Sequence, residues 1–220
     1  MHQLVAELEQ LIAADLSYPS IAAPLATGMI EASAYLALDF VAADSLDVVI
    51  RNSGPTRPAE AQRIVGQMAG ALDFAADAGI DHGALHPRDV LISADDVRVT
   101  GLGIARALER AGHPLAARRP YSAPERMAGG PWDRAADVFS VGALAFELLT
   151  GRRIAGVGEQ AAAAIGEVPG VDRAALIDIL ARALAEHPGD RPARPGDVAD
   201  ALHDVMSAAP VASRIARRRK

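Results

Sequence analysis

A polar loop that runs into an apolar strand lies near the middle of the chain: His82-Gly83-Ala84-Leu85-His86-Pro87-Arg88-Asp89-Val90-Leu91. The apolar stretch continues through Ile92. After the turn-like residues 94–96, Val97 and Val99 alternate with polar neighbours. Two short apolar runs joined by turn residues are typical of a β-hairpin. The sequence therefore predicts a hairpin directly after the loop.

Helical periodicity flanks this hairpin on both sides. Leucines at helical spacing predict a helix over 4–16, and a longer helix is predicted from Ala61 to Ala75, before Gly79. Residues 138–149 are apolar nearly all round and end at Gly151, as in a buried helix with a glycine after its last turn. Further predicted elements are a strand at 35–38 after the turn residues Thr27-Gly28, loops over 51–57 and from the hairpin to Pro120, and helices over 172–186 and after Pro195. We predict an α+β fold that is mostly helical.

Four motifs follow the loop in a fixed order: Thr100-Gly101-Leu102-Gly103, Tyr121-Ser122-Ala123-Pro124-Glu125, Asp137-Val138-Phe139-Ser140-Val141-Gly142 and Asp190-Arg191-Pro192. With residues 82–91, this series resembles the protein kinase family, specifically the bacterial eukaryotic-like Ser/Thr kinases. The 82–91 stretch matches the kinase catalytic loop His-Arg-Asp-Leu-Lys-Pro-x-Asn in length and register. The resemblance covers nearly the whole chain.

The resemblance implies structural roles for five residues. Glu125 and Arg191 would form the buried ion pair between the end of the activation segment and the late arginine site. Asp137, at the start of the central helix, would hold the backbone of the catalytic loop. His82 and Leu102 would stack in the internal hydrophobic spine, where a core role is favoured over a ligand role.

The same resemblance implies that the reactive groups have been replaced. Phosphoryl transfer needs carboxylates that orient the attacking hydroxyl and hold magnesium, and a lysine on the nucleotide phosphates. Here the catalytic aspartate is Ala84, the following lysine is His86, the metal-binding asparagine is Asp89, and the aspartate of Asp-Phe-Gly is Gly101. The only lysine in the chain is Lys220. We therefore expect neither a catalytic residue nor a metal site. His86 is a candidate replacement base because its side chain titrates near neutral pH, but it is offset from the base position.

Glu9 lies ten residues before Pro19, which matches the αC glutamate that pairs with a lysine in active kinases. In the alternative interpretation, Glu9 is a charge on the solvated face of an amphipathic helix. Because Met1 falls at the start of αC, the expected organisation is a truncated N-lobe with only αC and strands 4 and 5 (residues 1–41). A kinase-like C-lobe (42–208) and a basic tail (209–220) would follow.

Composition excludes several functional classes. The net charge of -6 argues against a nucleic-acid partner, because such binding depends on Lys and Arg neutralising phosphates. The absence of cysteine excludes disulfides and thiolate metal sites, which fits a cytoplasmic location. The sequence contains no apolar run of the length that a membrane span requires.

The resulting expectation is a catalytically inactive pseudokinase that acts as a scaffold or regulatory protein-binding module, with self-association as a further expectation. ATP and magnesium are not expected as cofactors. One alternative is a nucleotide-binding domain, with adenine near Asp39, Phe40 and Val41 and against Leu91, whose kinase activity is residual or completed by a partner. Another is a fragment of a larger receptor-like kinase, motivated by the start at αC and the basic residues 214–220.

Overall fold

The computed structural model describes residues 1–207, in which helices dominate and strands form two small antiparallel sheets. The elements, in chain order, are α1 (His2–Ala13), β1 (Pro24–Ile30), β2 (Ser33–Leu38), β3 (Asp44–Ser45), α2 (Leu46–Ser53), α3 (Pro58–Asp77), β4 (Val90–Ile92), β5 (Val97–Val99), α4 (Ile104–Arg110), α5 (Pro124–Met127), α6 (Arg134–Thr150), α7 (Gly158–Ala162), α8 (Arg173–Ala183) and α9 (Pro195–Ser207). The mostly helical α+β fold predicted from the sequence is confirmed.

The first sheet pairs β1 with β2, and α1 packs against it. Residues 27–28 were predicted as a turn, but they lie inside β1. The turn falls instead at residues 31–32, where Glu31 has a φ of 53°. Helix α1 ends at Ala13, earlier than the predicted residue 16, and Asp15 follows with a φ of 48°.

The second sheet has the order β3-β4-β5 and contains the predicted hairpin. In this hairpin Val90 pairs with Val99 and Ile92 pairs with Val97. Val90, Val97 and Val99 are fully buried. The alternation of apolar and polar residues therefore specified this element correctly, because one face of the hairpin lies against the core.

Helix α6 is the centre of the large core, and every residue from Ala136 to Leu149 is buried. The helix begins at Arg134 because the side chain of Asp133 accepts a hydrogen bond from the Ala135 N–H and so caps the first turn. It ends where Gly151 adopts a φ of 65°, which glycine reaches at little steric cost. Helices α3, α8 and α9 pack around it.

Two helices lie in regions that were predicted as loops. Helix α2 overlaps the predicted loop at 51–57, and α4 lies in the predicted loop before Pro120. Each is too short to be stable alone, so its stability comes from tertiary packing rather than from local propensity. Helix α4 packs its Ala107 against the buried leucines of α1. The local sequence therefore carried little signal for either helix.

The predicted basic tail at 209–220 lies outside the described residues, and the proposed division at residues 41 and 42 stays a prediction. Within residues 1–207, no helix combines the length and apolar character needed to cross a membrane.

Candidate functional site

Asp137 of α6 holds the backbone of the loop at residues 82–89 through two hydrogen bonds. Asp137 Oδ2 accepts a hydrogen bond of 2.8 Å from the His82 N–H, and Oδ1 accepts one of 2.7 Å from the Gly83 N–H. The carboxyl group is fully buried, and burial raises its pKa to about 6, although His82 and the two backbone N–H groups oppose that shift. A single side chain from the core helix thus fixes the backbone of the loop.

His82 ties this loop to the end of β5. Its Nε2 lies 3.0 Å from the carbonyl oxygen of Thr100, and its Nδ1 lies 3.4 Å from the Ala84 nitrogen. A tautomer with the proton on Nε2 satisfies both contacts, because Nε2 then donates and Nδ1 accepts. Leu102 is buried in the same core. His82 and Leu102 therefore both lie in the interior.

A small cavity of about 190 Å³ lies between the 82–89 loop and the start of the 101–125 segment. Ala84 and Gly101 line it without contributing any polar side-chain atom, and Asp89 is the only carboxylate in its lining. The full lining is Leu38, His82, Ala84, Asp89, Thr100, Gly101, Ile104, Ala105, Leu115 and Arg118. Drug-sized and cofactor ligands usually occupy pockets of about 300 Å³ or more. This cavity is below that size.

Arg118 fills the space beside Asp89. Its Nη1 donates a hydrogen bond of 2.7 Å to Asp89 Oδ2, which leaves the carboxylate with a fixed positive partner. The Arg118 backbone is itself held, because its N–H donates to Ser122 Oγ at 2.8 Å. No local pattern indicates this pair, since the two residues are 29 positions apart. It depends on how the 101–125 segment folds back over the loop.

His86 lies apart from the cavity. Its Nδ1 accepts a hydrogen bond of 3.1 Å from the Arg88 N–H, and its ring packs edge-on against Tyr121 with centroids 4.8 Å apart. Burial lowers the His86 pKa. His86 is absent from the residues that line the cavity, so the structure does not bring this candidate base to the position of Ala84.

Glu125 and Arg191 form a bidentate ion pair with both hydrogen bonds at 2.8 Å. The Arg191 side chain has no solvent exposure. Its remaining N–H groups donate to the carbonyl oxygens of Ala135, Ala185 and Glu186. A buried guanidinium needs such complete pairing because desolvation of the charge is costly. The pair joins the end of the 101–125 segment to the region before α9.

The acidic residue of α1 that makes an ion pair is Glu7, not Glu9. Glu7 Oε2 lies 3.1 Å from Arg110 Nη1 of α4, whereas Glu9 is exposed. The Gln3 side chain adds a hydrogen bond of 2.7 Å to the Arg110 carbonyl oxygen. Helix α4 is therefore fastened to α1 at its C-terminal end. Counting along the chain could not have found Glu7, because the contact depends on a helix that the sequence did not reveal.

Of the residues proposed to hold adenine, Asp39, Phe40 and Val41 are consecutive and Leu91 lies far from them in the chain, and none of the four lines the small cavity. Asp39 Oδ2 accepts a hydrogen bond of 3.2 Å from the Ala23 N–H, and the Val41 carbonyl oxygen accepts one of 3.0 Å from the Ala43 N–H. Leu91 lies in β4 opposite Ser45. Their role in nucleotide binding stays a prediction.

The residues present do not fit a magnesium nucleotide at the cavity. Magnesium in nucleotide sites is held by one or two carboxylates together with phosphates. Asp89 is the only carboxylate in the lining, and Arg118 already neutralises it. Within residues 1–207, no group of three or more His, Asp or Glu side chains is arranged to hold a metal ion.

Comparison with known proteins agrees with this arrangement of loop, segment and central helix. The sequence model described as "Protein kinase domain" matches residues 2–195. The chain belongs to the protein kinase family. This kinase-family domain is 32% identical over 212 residues to the serine/threonine-protein kinase PknJ of Mycobacterium tuberculosis, with 86% of the chain covered. It is 34% identical over 149 residues to PknB of Mycobacterium leprae, with 63% of the chain covered.

A solved structure shows the same fold. The crystal structure of the Mycobacterium tuberculosis PknI kinase domain superposes with a TM-score of 0.71 at 25% identity, and covers 92% of this chain and 78% of that chain. Relative to the curated relatives, the kinase-family domain is short: it spans 36% of PknJ and 24% of PknB.

Proposed function

We propose that this kinase-family domain is a pseudokinase, which transfers no phosphoryl group and acts as a protein-binding scaffold or regulatory module. The observation that carries the proposal is the ion pair between Arg118 and Asp89. The Arg118 guanidinium is paired with the only carboxylate that lines the small cavity, so a metal ion would have to displace Arg118 in order to bind Asp89.

The replacements at Ala84 and Gly101 support the same proposal. Ala84 has no group that could accept a proton or orient a hydroxyl, and its side chain is almost fully buried. Gly101 adopts a φ of 82°, a left-handed conformation that disfavours a side chain. Glycine also supplies no carboxylate at the position that matches the magnesium-binding aspartate of active kinases.

The retained skeleton supports a role in binding. Asp137 still holds the loop and Arg191 still pairs with Glu125, so the frame of the domain persists without its reactive groups. A stable frame with a closed centre can present surfaces to another protein. Its binding partner would therefore be recognised by shape and apolar contact rather than by phosphoryl transfer.

One surface suited to such binding lies on the first sheet and its exit. Most of the exposed large apolar side chains of the described residues lie here, and we name Leu25, Ile30, Tyr35 and Phe40 the small-lobe surface. Phe40 is 92% exposed. Exposed apolar surface of this kind marks interaction sites or leads to self-association. Sedimentation velocity should show concentration-dependent association that the double variant Ile30→Ser and Phe40→Ser reduces.

A phosphoryl-transfer assay tests the proposed loss of activity. The purified chain would be incubated with radiolabelled ATP, Mg²⁺ or Mn²⁺ and a generic protein substrate, beside the Asp89→Ala variant and an active kinase as positive control. We expect no transfer above the Asp89→Ala background. Metal-dependent transfer that disappears in Asp89→Ala would overturn the proposal, because it would show that Asp89 still serves a metal.

Thermal unfolding with ATP or ADP addresses nucleotide binding without transfer. A ligand at a hundred times its dissociation constant adds about 2.7 kcal/mol of stability. We expect no shift, because the cavity is small and Arg118 closes it. A metal-dependent shift that is lost on substituting Leu91 would favour the nucleotide-binding alternative.

A further inference from the structure

The indole ring of Trp132 lies between two arginine side chains. The guanidinium carbon of Arg106 is 3.7 Å from the ring centroid, and that of Arg126 is 4.4 Å from the centroid. Glu109 joins the group: its carboxylate oxygens accept from the indole Nε1 at 3.0 and 3.1 Å and also bind Arg126. We name Arg106, Glu109, Arg126 and Trp132 the Trp132 cluster.

The Trp132 cluster joins both ends of the 101–125 segment. Arg106 and Glu109 lie on α4, which is near the start of the 101–125 segment. Arg126 lies on α5, just beyond the end of that segment. Trp132 lies just before Asp133, the residue that caps α6, and its carbonyl oxygen accepts a hydrogen bond of 2.9 Å from Arg106 Nη2. Arg118 lies in the stretch between these two ends. A cluster that fixes both ends therefore restricts where Arg118 can reach.

The ring of Trp132 also rests against the catalytic loop. A Cβ atom added to Gly83 would come within 2.1 Å of the ring, and Gly83 has a φ of 68°. A distance of that size is a direct steric clash between the added atom and the ring. Because Gly83 adjoins Ala84, the ring touches the loop beside the small cavity. The loop, the ring and the segment therefore fit together only with glycine at position 83.

Two members of the cluster, Arg126 and Trp132, are buried, which strengthens the contact between them. The Arg126 side chain is 7% exposed and Trp132 is 8% exposed. Cation–π contacts gain strength when the cation is removed from water. The Glu109 carboxylate then serves as the counter-ion that makes burial of Arg126 tolerable. The loss of Glu109 should consequently loosen the whole cluster.

We propose that the Trp132 cluster is a latch that holds the 101–125 segment closed over Asp89. Opening the latch withdraws Arg118 from Asp89 and frees α4 from α1. This inference rests on the proposed function, because the latch would maintain the closed centre that we attribute to the pseudokinase. Trp132 is thus a positioning residue that acts through Arg118.

The single tryptophan of the chain provides a direct measurement, since its fluorescence reports only on Trp132. Two variants of the full chain disrupt the latch by different means. Glu109→Leu removes the counter-ion of Arg126, and Gly83→Ala places a methyl group against the Trp132 ring. Glu159→Gln, an exposed glutamate of α7, is the matched control. Tryptophan emission and the rate of tryptic cleavage after Arg110 and Arg118 would be measured together.

We expect red-shifted emission in both latch variants and cleavage of the segment about tenfold faster than in the wild type, because proteolysis tracks the population of the open form. Glu159→Gln should behave as wild type. Unchanged cleavage in a variant whose tryptophan emission has shifted would overturn the proposal, since the ring would have moved without releasing the segment.

A urea titration of the wild type covers the case in which the variants fail to fold. The latch predicts that tryptophan emission and segment cleavage change together, below the urea concentration at which circular dichroism reports global unfolding. If emission changes only with global unfolding, the latch does not exist as a separate unit. These measurements involve no phosphoryl transfer, so their failure leaves the proposed function standing, and detection of kinase activity leaves the latch standing.

Discussion

Arg118 Nη1 lies 2.7 Å from Asp89 Oδ2, so an arginine of the segment that closes the site binds the one acid left at its centre. Asp89 is mostly buried, whereas the Arg118 side chain is 39% exposed. The pair therefore combines a fixed acid with a partner that solvent can reach. It occupies the position where an active kinase would need a free oxygen ligand.

Substitution of Arg118 by Ala should weaken the domain only slightly. Partly exposed ion pairs contribute about 0.2–1 kcal/mol because solvent screens them. Urea unfolding of Arg118→Ala, Asp89→Ala and the double variant would give the coupling energy between the two side chains. A coupling energy near zero would show that the contact does not stabilise the closed segment.

The Glu125–Arg191 pair should matter far more. Arg191→Met leaves the Glu125 carboxylate without its partner, and removal of one member of a buried pair costs about 3–5 kcal/mol. Chemical unfolding at neutral pH measures this loss. Arg182→Met provides the control, because Arg182 forms only an exposed pair with Asp178 in the same helix. Equal losses in the two variants would contradict the structural role of Arg191.

Asp137 should give the domain a pH dependence of a particular sign. Burial raises its pKa from 3.8 to about 6, so the folded protein binds this proton more tightly than the unfolded chain does. The contribution of Asp137 to the free energy of unfolding is therefore highest below about pH 4 and falls as the pH rises towards 6.

Asp137→Asn removes that titration, and the amide also loses one of the two oxygen acceptors for the loop N–H groups. We expect a loss of about 1–3 kcal/mol at pH 5 from the unpaired N–H. Urea unfolding of both proteins between pH 4 and pH 7 should show a decline in the wild type that is shallower in Asp137→Asn. Parallel curves would mean that Asp137 does not titrate in this range.

Restoring the missing aspartate at position 101 should not restore activity. With a φ of 82°, most side chains at this position would cost about 1–2 kcal/mol in backbone strain and aspartate less than most, and the added Cβ would lie 3.5 Å from His82 Nε2. We expect Gly101→Asp to lower the unfolding midpoint and to leave phosphoryl transfer at background. Gly129→Asp is the control for strain, because Gly129 also has a positive φ but meets no neighbouring atom. Activity in Gly101→Asp would show that the rest of the centre is intact.

Much of the fold followed from local pattern. The apolar residues of α3 and α6, the glycine that ends α6 and the alternation in β4 and β5 are short-range features, and each was correctly assigned from the sequence. The identities at positions 84, 89 and 101 likewise needed no coordinates, since the replacement of a carboxylate by alanine or glycine is a fact of the sequence.

What only the tertiary structure decided is how the 101–125 segment folds. Helix α4 is stabilised by α1, Arg118 reaches Asp89 from 29 positions away, and Trp132 lies between arginines of two different helices. These contacts join residues far apart in the chain, and each alone is too weak to leave a periodic signal. The sequence determined which chemical groups are absent from the centre, whereas long-range packing determined what occupies their place.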